Sequence, residues 1–162
     1  MKALWTAATA GALLLTGIAA ARADNDSNNV SWRRVIGIAQ AGNLVGGITG
    51  GGQPWSTLGG EAHVNLKSGH IEFEVRGLAL AGGNSIGTPD AINQVKGTVV
   101  CGAGTPAEIT ADTPLVPLSP QGDAEFEGKF DSLPAVCTPT NIAFLVRIAA
   151  NRWIANGTVR SP

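Results

Sequence analysis

Residues 61–78 read Glu-Ala-His-Val-Asn-Leu-Lys, then Ser-Gly, then His-Ile-Glu-Phe-Glu-Val-Arg-Gly-Leu. Folding this stretch about Ser68-Gly69 as a two-residue turn sets Leu66 opposite Ile71, Val64 opposite Phe73 and Ala62 opposite Val75 on one face. On the other face Glu61 meets Arg76, His63 meets Glu74, Asn65 meets Glu72 and Lys67 meets His70. One register thus separates apolar from polar pairs and places opposite charges across from each other, as a hairpin with one buried face requires. Two strands cannot bury that face alone, so the rest of the chain must supply more sheet.

The beginning of the chain is not read as fold. Lys2 supplies a short positive region, an Ala/Leu-rich apolar run follows to Ala20, and Ala21-Arg22-Ala23 is a small-x-small site, so residues 1–23 are expected to be a cleaved secretory signal. The competing expectation is an uncleaved anchor, since the run approaches the roughly 20 apolar residues of a membrane span. Cleavage would leave 139 of the 162 residues, with nine basic and twelve acidic side chains. That length suits one domain with its own core, and a weakly acidic chain without a basic cluster argues against nucleic acid as a partner. The expected product is exported, extracellular or periplasmic, with no stable membrane insertion after cleavage.

Residues 24–31 are polar and predict a flexible mature N-terminus, with a single domain over 32–162. The mature chain is rich in Gly, contains no Tyr and lacks long runs of helix formers. Short β-branched runs punctuated by Gly, Pro and Asn predict an all-β fold, an antiparallel β-sandwich or flattened barrel of about eight to nine strands. Candidate strands cover residues 32–39, 44–48, 92–101, 108–118, 123–131, 142–149 and 153–160, besides the hairpin. Pro114 and Pro117 confine 108–118 to an edge or irregular piece. Residues 142–149 are apolar on both faces apart from Arg147 and predict a central strand. Cys101 and Cys137 are expected to form a disulfide closing a loop of about 36 residues.

Two constellations bear on function. On the wet face of the hairpin His63, Glu72 and Glu74 lie within reach of one another and are the candidate ligands of a divalent metal, against a solvated face whose charges simply pair. Trp55, on a glycine loop, is the candidate stacking platform for a sugar ring or anchor for a partner, against a plug for one end of the core. No Gly-x-Ser-x-Gly elbow, His-Glu-x-x-His pattern or phosphate loop occurs, and both histidines sit on a regular strand face. No cofactor is therefore expected. The expected function is a non-catalytic binding or structural module with a glycan or envelope partner; the alternative is a metal-binding protein or enzyme using His63, Glu72 and Glu74.

The stretches Pro54-Trp55-Ser56-Thr57-Leu58-Gly59-Gly60, Ile71-Glu72-Phe73-Glu74-Val75-Arg76-Gly77-Leu78, Lys96-Gly97-Thr98-Val99-Val100-Cys101, Pro117-Leu118-Ser119-Pro120-Gln121-Gly122-Asp123-Ala124 and Phe144-Leu145-Val146-Arg147 resemble uncharacterised exported bacterial β-domain proteins. The resemblance implies export and a β fold and no particular activity. The glycine-led hairpin followed by a loop and a valine-rich strand also resembles CHRD-type extracellular β domains. Their His-x-His element has no counterpart in Gly82-Gly83-Asn84-Ser85-Ile86, so no metal-linked role follows from that likeness.

Overall fold

The computed structural model describes residues 26–102, 104 and 109–161. The expected signal, residues 1–23, lies outside them. A short 3-10 turn, Asp26–Asn28, leads into β1 (Asn29–Gly37), β2 (Leu44–Val45), β3 (Ile48–Thr49), β4 (Trp55–Ser56), β5 (Gly59–Asn65), β6 (His70–Arg76), β7 (Ala79–Leu80), β8 (Gln94–Cys101), β9 (Ile109–Asp112), β10 (Val116–Pro117), β11 (Ala124–Lys129), β12 (Ile142–Ile148) and β13 (Trp153–Ser161). Nine of these form one antiparallel sheet in the order β10-β8-β12-β13-β1-β5-β6-β11, with β9 also on β8. The expected all-β class and strand number hold for this sheet. The additional short strands make two small pairs, β2 with β3 and β4 with β7.

The sheet is curled, and the aromatic core shows why. Phe73 on β6 and Phe144 on β12 are separated by β5, β1 and β13, about 19 Å on a flat sheet. Their ring centroids are 5.6 Å apart. Trp32 on β1 packs on Phe144 at 5.7 Å, and Phe126 on β11 on Phe73 at 6.1 Å. Rings from four strands meeting in one place require the sheet to wrap around them as a flattened barrel. The wrap is incomplete. The edges β10 and β11 are joined by the tight turn at residues 119–123, where Ser119 N–H donates to the Asp123 carbonyl, but they form no ladder.

At the opposite end from that turn, the disulfide does the closing. Cys101, at the end of β8, is bonded to Cys137 in the connection that carries the chain from edge strand β11 back to β12. The expected pairing is present, and no described cysteine is free.

Two expectations about the amino-terminal half are corrected. Order begins before Trp32: β1 starts at Asn29, with Asn29 paired to Asn65 and Ser31 to both His63 and Ser161. Val30 is buried, which fixes this polar stretch between two strands despite its composition. The hairpin register is also different. Val64 pairs with Ile71, Ala62 with Phe73, His63 with Glu72, Glu61 with Glu74 and Gly59 with Arg76. The turn holds four residues rather than two. Asn65 Oδ1 accepts from the N–H groups of Lys67 (3.1 Å) and Ser68 (2.8 Å), its carbonyl accepts from Gly69 N–H at 2.9 Å, and Gly69 takes φ = 72°. An Asn side chain that bonds the backbone ahead of it builds this wider loop in place of the two-residue one. The slip is two residues, so every side chain keeps its face, and apolar alternation cannot tell the registers apart.

The expected strand over 44–48 is instead a tight hairpin in which Leu44–Val45 pairs with Ile48–Thr49, the chain reversing at Gly46-Gly47. β12 lies between β8 and β13 with Ile142 and residues 144–147 buried, as a central strand should. The expected strand over 108–118 is split at Pro114 into β9 and the edge strand β10.

Candidate functional site

The corrected register changes the chemistry of the outer face of β5, β6 and β11. Glu61, Glu74 and Glu125 form one row across the three strands, and His63, Glu72 and Glu127 the next. His63 Nδ1 is 2.9 Å from Ser31 Oγ, its Nε2 is 3.9 Å from Glu61 Oε2, and Glu74 Oε1 lies 3.3 Å from Arg76 Nε. Of the metal set His63, Glu72 and Glu74, His63 and Glu74 are thus engaged by other residues. Among the described residues no group of three or more His, Cys, Asp or Glu is placed to hold a metal ion. The Ser31–His63 contact joins paired residues of neighbouring strands. It has the partners of a nucleophile and base, but the 3.9 Å gap to Glu61 is too long for the hydrogen bond that would orient the imidazole.

Trp55 is 7% exposed and pairs on β4 with Leu80 of β7. Its indole belongs to the core and forms one wall of a small pocket of about 180 Å³ with Leu80, Ile92 and Ile154, rimmed by Asp90 and Arg152. A stacking platform needs an open ring face, and this ring is enclosed.

A polar group not anticipated from the sequence lies on the outside of β8, β9 and β12. Asp112 accepts from Lys96 Nζ (2.5 Å), Thr98 Oγ1 (2.7 Å) and Arg147 Nη1 (3.1 Å). Lys96 also reaches Asn151 Oδ1 at 3.0 Å, and Arg147 donates from Nε and Nη2 to the Asn151 carbonyl. Asn151 sits at φ = 62° in the β12–β13 turn, which turns both its oxygens toward the two cations. Burial raises the Asp112 pKa, but the hydrogen bonds from Lys96 and Thr98 and the charges of Arg147 and Lys96 outweigh it and hold the carboxyl below its usual value. Every donor here is satisfied within the protein, so the network braces the sheet. The one sequence signal was Arg147, the single charge in an otherwise apolar strand.

One feature open to a ligand is a cleft where the sheet splits. β1 pairs with β5 only from Asn29 to Trp32, and beyond Trp32–Ala62 the two strands part. Thr57 Oγ1 crosses the gap to the Val35 carbonyl at 2.7 Å. Gly60 lines the cleft at φ = 153°, and a Cβ there would lie 2.5 Å from the Glu74 carbonyl oxygen and 3.1 Å from Val35 Cβ, so only glycine fits β5 between β6 and β1 at this point. The cleft has a volume of about 510 Å³. Arg33, Arg34 and Arg76 line it with Glu61, Glu74 and Thr57, leaving one positive charge in excess. The exposed side chains of Ile36 and Leu58 lie on its rim. Consecutive Arg33 and Arg34 were legible in the sequence, but their approach to Arg76 depends on strand order.

The chain matches no family model, no curated protein and no solved structure.

Proposed function

We propose that this chain is an exported, non-catalytic binding domain that takes an acidic glycan in the cleft between β1 and β5. The observation that carries this reading is the convergence of Arg33, Arg34 and Arg76 on a polar gap in the sheet. Guanidinium forks match the two oxygens of a carboxylate, while Thr57 and the parted backbone offer partners to sugar hydroxyls. The disulfide suits an oxidising compartment. No helix among the described residues is long and apolar enough to cross a membrane. The signal-like residues 1–23 support export, with Asp24 as first mature residue.

Titration of isotope-labelled protein with trigalacturonate should produce saturable shifts at the amides of Arg34, Thr57, Gly59 and Arg76. The double variant Arg34→Ala/Arg76→Ala should bind roughly tenfold more weakly or worse, as expected for lost charge-assisted contacts. Unmoved cleft amides, or equal binding of a neutral trisaccharide, would overturn the proposal.

A further inference from the structure

We propose that the free edge of β11 accepts an extended segment of a partner protein, one that alternates apolar and basic residues, as an added strand of the sheet. The position of the edge follows from two hydrogen bonds. Phe130 N–H donates to the Gly69 carbonyl on the β6 side, whereas the Asp123 carbonyl accepts from Ser119 on the other. Backbone direction alternates along a strand, so the N–H and C=O groups of Glu125, Glu127 and Lys129 point away from β6. Among the described residues β11 pairs with β6 alone, and no strand receives those groups.

A groove of about 460 Å³ runs between this edge and β10, with Val116, Pro117 and Ala124 as apolar walls and Glu74, Asp123 and Glu125 on its rim. Charge selects the occupant. Glu125 faces Glu74 and Glu127 faces Glu72, and in this register both are non-hydrogen-bonded pairs, the kind that brings side chains closest. Like charges directly opposed destabilise a sheet, an effect offset here in part by Arg76 at 3.3 Å from Glu74 and His70 at 4.0 Å from Glu127. A strand laid on β11 would place alternate side chains beside these glutamates, where lysine or arginine relieves the repulsion. The side chains between them would turn toward Ala124 and Phe126. Main-chain hydrogen bonds then give affinity and the charge pattern gives specificity. In the free protein the same exposed charges keep the edge from pairing with copies of itself.

The probe is an eight-residue peptide alternating valine and lysine, titrated into the full chain. Saturable shifts and slowed amide exchange at Glu125, Glu127 and Lys129 are expected. A valine–glutamate peptide, and the valine–lysine peptide N-methylated on alternate residues, should bind at least roughly tenfold more weakly. Glu127→Pro removes an outward N–H without touching the β6 ladder and should weaken binding to the same extent. If that variant does not fold, the N-methylated peptide decides alone. Binding indifferent to N-methylation would reduce the effect to charge attraction and overturn the proposal. So would shifts confined to other surfaces, or a concentration-dependent dimer through β11 that excludes the peptide.

Discussion

Arg147 Nη1 lies 3.1 Å from Asp112 Oδ1, joining β12 to β9 across the intervening β8. Arg147 is only 8% exposed, so its charge depends on this carboxylate and on the Asn151 carbonyl. Among the described residues β9 has no other strand neighbour than β8, and the ion pair therefore fixes an outlying strand to the middle of the sheet.

Asp112→Ala should leave Arg147 buried without its counter-charge. Since Asp112 itself is partly solvated, the expected loss is about 2 kcal/mol, below the range for a fully buried pair. Denaturant unfolding measures it, and an unchanged midpoint would show that the network contributes nothing to stability.

The same residue sets a pH dependence. Its carboxyl titrates lower in the folded than in the unfolded chain. Its contribution is thus fully present above the unfolded value of about 3.9 and is lost as pH falls through the folded one. Urea midpoints measured from pH 6 down to pH 2 should fall more steeply below about pH 4 for the native chain than for Asp112→Asn.

Removing the bridge by Cys101→Ser with Cys137→Ser should cost about 2–4 kcal/mol, the usual range for a disulfide closing a loop of this size. Intact-mass measurement before and after reduction should differ by two hydrogens, and free thiols in protein purified without reductant would contradict the bridge.

Glu125→Lys should stabilise the domain by a few tenths of a kcal/mol to about 1 kcal/mol at low salt, by turning the Glu74–Glu125 opposition into an attraction. The gain should shrink as salt is added. A loss of stability would place these two side chains farther apart than their register implies.

Gly157→Ala should destabilise by about 1–3 kcal/mol, because a Cβ at this position would lie 2.6 Å from Trp32 Cγ in a filled core. Thermal unfolding reads this directly.

The sequence made the fold class and the bridge legible because both rest on local signals, alternation in residues 61–76 and two cysteines behind a signal-like segment. It misplaced the hairpin register because registers differing by two residues bury the same side chains, and the deciding contact is the hydrogen bonding of Asn65. It also understated the amino terminus, where Val30 anchors the polar residues that begin β1. The Arg33–Arg34–Arg76 cleft and the Asp112 network were out of reach for a different reason. Each joins residues more than 30 positions apart, through a strand order that periodicity does not specify.

The position of the Cys101–Cys137 bond carries a consequence for how the protein matures. Hydrogen bonds close the sheet except between β10 and β11 and where β1 and β5 part beyond Trp32–Ala62, and in the folded chain the two sulfurs meet where β8 and the chain beyond β11 come round the same core. The oxidised bond is a chemical record of completed assembly. In a compartment that kept both thiols reduced, the 119–123 turn would be the one covalent link between the two open edges, and the end of the sheet away from that turn would lose its tie.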